Sequence, residues 1–175
     1  MKKKLCVSFS GGETSGYMVH WLQNNKQDDY DMIFVFANTG QENEETLKFV
    51  DQCDKAFDLN LIWLEAKINQ ERGKGTRWNI VTYETASRNG EPFEEGIKKF
   101  ALPNMNNPWC TRDLKLEPIH NYLKLHLGWK DYWTAIGIRS DEIDRVSTNR
   151  VKNKLYYPLV EDVPMSKPKI NFWWS

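Results

Sequence analysis

No run in the sequence approaches the ~18–20 apolar residues that a transmembrane helix requires. The amino terminus, Met1–Lys4, is basic, but the apolar run that follows it, Leu5–Phe9, is shorter than the apolar region of a secretory signal peptide. Neither a membrane anchor nor a signal peptide is predicted. We therefore expect a cytoplasmic protein that does not bind membranes.

Cysteine and histidine are also scarce. The three cysteines lie far apart without a Cys-x-x-Cys pair, and the three histidines are scattered. This spacing argues against a disulfide framework and a zinc site, and it fits a reducing compartment. Cys6 and Cys53 fall on apolar faces of a predicted strand and a predicted helix, which indicates core positions. No metal site is predicted.

An excess of charge of one sign is missing as well. Lys+Arg and Asp+Glu each total 24 in 175 residues, so the formal net charge is zero. Such a chain has no overall field that would attract nucleic acid, and its charge does not indicate a nucleic-acid partner. With 40% apolar and 27% charged residues, the composition is that of a globular protein. The length predicts one domain that spans residues 1–175.

Short apolar runs alternate with helical patterns along the chain. Helical spacing covers Gly16–Asn25 and Glu44–Phe57, whereas five apolar runs predict strands at Leu5–Phe9, Met32–Ala37, Leu59–Leu64, 131–138 and Leu155–Val160. Strands joined by helices require a mostly parallel sheet. We predict an α/β fold, a doubly wound three-layer sandwich with a five-stranded sheet. Ligands of such sheets bind beyond the carboxyl ends of the strands.

Residues 66–108 interrupt this alternation. The segment holds four glycines, three prolines and mixed charge, which predicts an irregular insertion with one short helix at Phe93–Phe100. A lid over a substrate and a surface loop both fit this composition. The stretch Trp78–Tyr83 is too apolar to be disordered.

The segment Ser10–Ser15, with the sequence Ser-Gly-Gly-Glu-Thr-Ser, lies where the first predicted strand gives way to a helix. Its adjacent glycines allow a sharp turn and a close approach of the backbone to a ligand. The helix that follows directs unpaired N–H groups and its positive dipole end into the turn, where three hydroxyls add further donors. A phosphate or pyrophosphate site is predicted. The alternative is a tight turn with Ser15 as the helix N-cap.

A second candidate segment surrounds Cys110. Arg112 and Lys115 lie one turn apart at the start of a predicted helix, where cations oppose the helix dipole unless they bind an anion. Cys110 stands next to these charges and is the candidate reactive thiol. Two solvated charges and a buried structural thiol are the alternatives.

A third segment follows the predicted strand at 131–138. Arg139 and Arg145 are suited to clamp a phosphate or sulfate with their planar guanidinium groups. Three carboxylates stand between them, so local ion pairs are the alternative.

The spacing of the glycines fits neither a Walker A loop nor a dinucleotide fingerprint. Ser10–Ser15 resembles the PP-loop of the ATP pyrophosphatases. The chain also has an Asn-Thr-Gly turn at Asn38–Gly40 followed by Glu45-Thr46, a Cys-x-x-x-x-Lys-x-x-Pro segment at Cys110–Pro118 and a Gly-x-Arg-x-x-x-x-x-Arg loop at Gly137–Arg145. In this order the four motifs resemble the phosphoadenosine phosphosulfate (PAPS) reductase family across nearly the whole chain. The resemblance implies an adenine nucleotide alpha hydrolase-like fold.

The resemblance also implies a role for each matched residue. The phosphates of ATP, adenylylsulfate or PAPS would bind at Ser10, Gly11, Gly12, Glu13, Thr14 and Ser15. The adenosine part would lie at Asn38, Thr39 and Gly40. The reacting phosphate or sulfate would contact Lys115, Arg139 and Arg145. Thr14 replaces an aspartate that is usual in the family, so a role for Mg²⁺ stays open.

Three functions stay open. The first is action at the α-phosphate of the nucleotide, as in ATP pyrophosphatases that transfer an adenylyl group, in some relatives linked to sulfur transfer. The second is a thiol-dependent sulfonucleotide reductase that uses Cys110. The chain lacks the Glu-Cys-Gly-x-His tail of those reductases, and it lacks the paired cysteines that would hold an iron–sulfur cluster, so no cluster is expected. The third is a module that binds or sequesters a nucleotide without turnover.

The end of the sequence is apolar. Ser166 is predicted to cap a short helix that carries Phe172, Trp173 and Trp174. Such a face needs burial against the domain or a partner, so a protein partner or self-association through these residues is a candidate. Family members usually continue into a further helix and a cysteine-bearing segment. A natural short form, as in phage-encoded relatives, and a trimmed chain are both compatible with the sequence.

Overall fold

A computed structural model of the chain describes residues 2–175. The strands are β1 Lys3–Ser8, β2 Tyr30–Asn38, β3 Ile62–Lys67, β4 Arg77–Val81, β5 Trp133–Ala135 and β6 Leu155–Tyr156. They form one sheet in the order β4-β3-β2-β1-β5-β6. β1 pairs in parallel with β2 and β5, and β5 pairs in parallel with β6, while β3 and β4 are antiparallel. The predicted α/β fold with a mostly parallel sheet is confirmed.

The helices are α1 Glu13–Asn25, α2 Glu44–Phe57, α3 Glu91–Phe100, α4 Trp109–Thr111, α5 Glu117–Asn121, α6 Pro158–Glu161 and α7 Lys167–Trp174. Two π-helical turns, Arg112–Leu116 and Tyr122–His126, follow α4 and α5, so residues 109–126 form one continuous helical segment. A 3₁₀ turn covers Ser140–Arg145. Within residues 2–175, no helix combines the length and the apolar character that membrane crossing requires.

The sheet has six strands where the sequence predicted five. The additional strand, β4, lies inside the segment that was expected to be irregular. It pairs with β3 at the edge of the sheet and consists of exposed and half-buried residues, so it lacks the apolar run that marks a buried strand. The last predicted strand ends early, because Pro158 begins the short helix α6 after Tyr156.

Residue contacts divide the chain into two compact units. The first unit comprises residues 2–35, 49–61 and 131–175, and the second comprises residues 36–48 and 62–130. The core of the first unit includes fully buried side chains of β1, α1 and α7 at Leu5, Val7, Met18, Leu22 and Ile170. The core of the second includes Leu64, Trp109, Leu114 and Leu123. Whether the chain acts as the single domain expected from its length stays a prediction.

Candidate functional site

The turn Ser10–Gly12 connects β1 directly to α1. Gly11 has a φ of +80°, in the left-handed region that favours glycine. Gly12 is extended, with φ −104° and ψ 159°, and is the N-cap of α1. No side chain caps the helix, so its first backbone N–H groups are left for another acceptor. The interpretation of Ser15 as the N-cap is wrong, because the helix begins two residues earlier, at Glu13.

Hydroxyl groups stabilise this turn from inside. Ser15 is buried, and its Oγ donates to the carbonyl of Gly12 at 2.9 Å. The same Oγ accepts the N–H of Ser10 at 3.2 Å and lies 2.9 Å from Ser10 Oγ. Ser10 is exposed, whereas Thr14 is half-buried in the first turn of the helix. Ser15 therefore organises the loop, and Ser10 and Thr14 stand closer to its open side.

Glu13 occupies the first position of α1. Its carboxylate forms an ion pair with Lys167, with Oε2 2.8 Å from Nζ. Its backbone carbonyl accepts the indole N–H of Trp174 at 3.0 Å. The side chain of Glu13 is thus engaged with α7, and only its backbone N–H remains for an anion at the loop.

The segment that follows β5 lies against the turn. A Cβ on Gly137 would come within 3.2 Å of Ser15 Cα, so the two backbones are in direct contact. Two residues later, the side chain of Arg139 is 19% exposed and ion-paired with Asp141 at 2.8 Å and Glu142 at 3.3 Å. The first unit therefore brings the Ser10–Ser15 segment and the start of the arginine loop together.

Arg145 behaves differently from Arg139. Its side chain is 62% exposed, and its Nη1 lies 2.6 Å from Glu142 Oε1. Glu142 thus binds both arginines, as the alternative of local ion pairs predicts. Arg145 needs to exchange this carboxylate for a ligand before it can act as a clamp.

The Asn38–Gly40 turn belongs to the second unit and rests on a carboxylate that the sequence analysis did not single out. Asn38 is fully buried, and its Nδ2 donates to Glu65 Oε1 at 2.7 Å and to the carbonyl of Ser87 at 2.9 Å. Its Oδ1 accepts the N–H of Gly40 at 3.3 Å. The side chain of Asn38 therefore shapes the turn. The sequence feature that could have identified Glu65 is the presence of a carboxylate within an otherwise apolar strand.

Glu42 links this turn to the Cys110–Pro118 segment. Its Oε1 accepts a hydrogen bond from Thr39 Oγ1 at 3.1 Å and lies 3.6 Å from Lys115 Nζ. Gly40 has a φ of +77°, and a Cβ there would lie 2.9 Å from Pro92 Cδ. The second unit thus brings Thr39, Gly40 and Lys115 together, with Glu42 as a bridge that the sequence analysis missed.

Cys110 packs against an apolar cluster of the second unit. The cluster consists of Ala66, Ile68, Trp109 and Leu114, and Cys110 is half-buried beside it. The neighbouring Arg112 is ion-paired with Asp113 at 2.6 Å. Burial raises the pKa of the Cys6 and Cys53 thiols to about 12, in agreement with their predicted core positions.

A cavity of about 360 Å³ adjoins the same helical segment. Its lining includes Lys74, Lys99, Phe100, Arg112 and Asp113. Two of its cations are neutralised within the protein, since Lys74 pairs with Glu71 and Arg112 pairs with Asp113, while Lys99 donates to the backbone carbonyls of Asn69 and Lys74. The cavity offers space beside Arg112, whose charge is balanced by Asp113.

The aromatic end of the sequence packs within the first unit. Trp173 contacts the rings of Tyr17 and His20, with centroids 5.1 and 4.9 Å away, and Trp174 contacts Phe49 at 4.9 Å. Phe172 is 83% exposed. Trp174 is thus half-buried against α2, whereas Trp173 is still 37% exposed, so a role of this end in self-association would depend on Phe172 and Trp173.

The donors at the turn do not fit a metal ion held by the protein. They are backbone N–H groups and hydroxyls, and the carboxylate of Glu13 is bound to Lys167. In the part of the chain that the structure describes, no group of three or more His, Cys, Asp or Glu side chains could hold a metal ion. A divalent cation at this site would have to rely on the oxygens of its ligand.

Two solved structures share the fold. The PAPS reductase from Candida auris, in a phosphate complex, matches with a TM-score of 0.55 over 97% of this chain and 70% of its own, at 14% identity. The U34-tRNA thiolase NcsA from Methanococcus maripaludis, with its [4Fe-4S] cluster, matches with a TM-score of 0.56 over 98% of this chain and 56% of its own, also at 14% identity. At this identity the likeness concerns the fold.

Sequence relatives occur in a phage and an archaeon. The nin region protein ORF290 of Escherichia phage lambda is 35% identical over 172 residues, which are 97% of this chain and 58% of the relative. Protein MJ0973 of Methanocaldococcus jannaschii is 32% identical over 136 residues, 78% of this chain and 26% of the relative. The chain thus spans only part of the length of these relatives. The expected likeness to phage-encoded proteins is confirmed. The model of the phosphoadenosine phosphosulfate reductase domain matches residues 4–157, and the chain therefore belongs to that family.

Proposed function

We propose that the chain binds an adenine nucleotide at the Ser10–Gly12 turn and transfers the adenylyl group of ATP to an acceptor, with release of pyrophosphate. The turn itself carries the proposal. Gly11 is left-handed, α1 has no side-chain cap, and a Cβ on Gly12 would meet no protein atom within 4 Å. Backbone N–H groups at the start of a helix that face open space are suited to bind a phosphate group.

The reaction requires positioning and neutralisation of charge more than covalent help from the protein. A nucleophile on the acceptor attacks the α-phosphorus and loses its proton to solvent. The bond between the α-phosphorus and the oxygen that bridges to the β-phosphorus breaks, and pyrophosphate leaves with both electrons. The amides of the turn and the guanidinium of Arg139 would stabilise the negative charge that accumulates on the phosphate oxygens.

The position of Cys110 favours this reaction over sulfonucleotide reduction. A nucleophilic thiol is activated by neighbouring positive charge, whereas the charge of Arg112 beside the half-buried Cys110 is balanced by Asp113. A structural role of the thiol agrees better with these contacts. The predicted roles of Asn38, Thr39, Gly40, Lys115 and Arg145 at the nucleotide remain part of the proposal, with Asn38 acting through its turn.

Thermal unfolding tests the proposal without knowledge of the acceptor. ATP, adenylylsulfate, PAPS and its desulfated product are each added with and without Mg²⁺. A ligand at 100 times its Kd stabilises the fold by about 2.7 kcal/mol, enough to raise the Tm by several degrees. Stabilisation by ATP, followed by release of pyrophosphate when candidate acceptors are supplied, supports adenylyl transfer. Preference for PAPS and its product supports the sulfonucleotide alternative.

Gly12→Ala makes the test specific for the turn. The added methyl group meets no protein atom within 4 Å, and the φ of −104° suits alanine, so the free energy of unfolding changes by no more than about 1 kcal/mol. The same methyl group would stand where the phosphates are proposed to bind. We expect a loss of nucleotide affinity of roughly tenfold. Equal nucleotide affinity in the wild type and Gly12→Ala would contradict the proposed site, and no stabilisation of the wild type by any nucleotide would overturn the function.

A further inference from the structure

Both ends of helix α7 form hydrogen bonds with Glu13, the first residue of α1. Lys167, its first residue, donates from Nζ to Glu13 Oε2 at 2.8 Å. Trp174, its last residue, donates from Nε1 to the carbonyl of Glu13 at 3.0 Å. Glu13 directly follows Gly12, so both contacts reach the residue next to the proposed phosphate turn.

The fit of Trp174 depends on a glycine in α1. A Cβ on Gly16 would lie 2.8 Å from the ring of Trp174 and 3.1 Å from that of Phe49. Gly16 also donates its N–H to the carbonyl of Gly12 at 2.9 Å, which closes the first turn of the helix. The indole ring therefore lies directly on the helical turn that begins at Gly12.

The first residue of α7 also reaches the arginine loop. The backbone N–H of Lys167 donates to Asp141 Oδ2 at 3.1 Å, and Arg139 Nε donates to Asp141 Oδ1 at 2.8 Å. The N–H of Ser140 donates to the carbonyl of Met165 at 2.9 Å, just before α7. These contacts make a continuous connection from Glu13 through Lys167 and Asp141 to Arg139.

We propose that α7 positions the phosphate site, with Lys167, Trp174 and Asp141 fixing the first turn of α1 relative to Arg139. This inference rests on the proposed function, because it assigns these residues to the site where the nucleotide phosphates would bind. None of the three needs to touch the nucleotide. They act through Glu13 and Arg139, whose preset arrangement reduces the ordering that binding would otherwise require.

Amide hydrogen exchange of the nucleotide-free protein tests the first half of the inference. The reporter is the N–H of Gly16, compared among wild type, Lys167→Met and Trp174→Phe. Both variants keep most of the packing of the replaced side chain and remove its contact with Glu13. Lys169→Met is the matched control, since Lys169 lies on the same helix but donates to the carbonyl of Pro164. We expect exchange at Gly16 to be about two- to tenfold faster in the two test variants and unchanged in the control.

Nucleotide affinity tests the second half. For the nucleotide that stabilises the wild type, we expect Kd to rise about two- to fivefold in Lys167→Met, to recover in Lys167→Arg, and to stay constant in Lys169→Met. Equal exchange at Gly16 in all variants, or faster exchange with an unchanged Kd, would overturn the inference. If Trp174→Phe does not fold, Lys167→Met and Lys167→Arg still test the inference. Both of these variants should fold, because an exposed ion pair adds little to stability. Failure of the wild type to bind any nucleotide overturns the proposed function, and the exchange data still show whether α7 holds α1.

Discussion

Gly137 lies so close to Ser15 that a Cβ on the glycine would come within 3.2 Å of Ser15 Cα and 3.4 Å of Ser15 N. Both neighbouring atoms belong to the backbone of α1 and cannot rotate away. The contact fixes the distance between the first turn of α1 and the segment that leads to Arg139. Gly137 is therefore sensitive to substitution, although it has no side chain that could contact a ligand.

Substitution of Gly137 by alanine should separate the two backbones by a few tenths of an ångström. We expect Gly137→Ala to lower the free energy of unfolding by about 1–3 kcal/mol and to weaken nucleotide binding. Denaturant unfolding and titration with nucleotide measure the two effects. Gly75→Ala is the control, because a Cβ there meets nothing within 4 Å. An affinity that is the same in Gly137→Ala and Gly75→Ala would contradict the importance of this contact.

Cysteine reactivity should separate Cys110 from the other two thiols. Cys6 and Cys53 are 0% and 3% exposed, and burial raises the pKa of each to about 12. At pH 8 we expect iodoacetamide to modify one thiol in the native protein, Cys110, and all three after unfolding. Peptide mass spectrometry identifies the modified residue. Early labelling of Cys6 or Cys53 would refute the prediction.

The same residue distinguishes the two chemistries. Cys110→Ser should leave pyrophosphate release unchanged if the chain is an adenylyl transferase, because the thiol then only packs against the cluster around Trp109. A sulfonucleotide reductase that uses this thiol would lose all sulfite production in the variant. Parallel assays of pyrophosphate and sulfite decide between the two outcomes.

A pH effect should arise at Glu44. Arg88 Nε and Tyr83 Oη donate to its carboxylate at 2.7 and 2.5 Å, and these hydrogen bonds lower its pKa from 4.5 to about 2. Because the pKa is lower in the folded state, the resulting stabilisation is complete above pH 4.5 and is lost as the pH falls toward 2. We expect Glu44→Gln to make unfolding less dependent on pH in this window than Glu45→Gln on the same helix. Identical slopes in the two variants would show that the pair does not perturb Glu44.

Glu65 should matter more for stability than an exposed carboxylate. It is 5% exposed and accepts hydrogen bonds from Asn38 Nδ2, from the N–H of Ser87 and from Ser87 Oγ. In Glu65→Gln the amide oxygen can replace Oε1, but the charge is lost and the hydroxyl of Ser87 must turn to accept from the NH₂ group, so we expect a loss of about 1–2 kcal/mol in urea unfolding. Glu71→Gln, which removes only an exposed ion pair with Lys74, should change stability by about 0.5 kcal/mol or less. Similar losses in both variants would contradict this assignment.

The sequence was sufficient to predict the elements whose pattern is local. The apolar spacing of α2 predicted both of its ends correctly, and the buried runs predicted β1 and β2 to within a few residues. β4 was missed because an edge strand pairs through its backbone and none of its residues is fully buried, so its sequence lacks a continuous apolar run. Its Asn79 and Ile80 are exposed, and only pairing with β3 shows that the segment is a strand.

In the candidate site, too, the sequence predicted the locally determined part and missed the contacts between distant segments. Adjacent glycines after a strand predicted the turn, since the conformation of Gly11 is a property of the local backbone. The partners of Glu13 could not be predicted, because they come from α7, more than 150 residues later in the chain. Glu42 was missed for a similar reason, since only the folded second unit brings Lys115 to it.

The π-helical turn at Arg112–Leu116 determines the angular relation between the thiol and the amine of this segment. Each residue of an α-helix advances the direction of its side chain by about 100°, and a π turn accommodates one residue more than an α turn over a similar rise. Deletion of one residue between Cys110 and Lys115 would convert the π turn into an α turn and leave both side chains on the same side of the helix, because the π turn absorbs the extra residue. The π turn thus lets five positions along the sequence, rather than four, separate a thiol and an amine that lie on the same side of the helix.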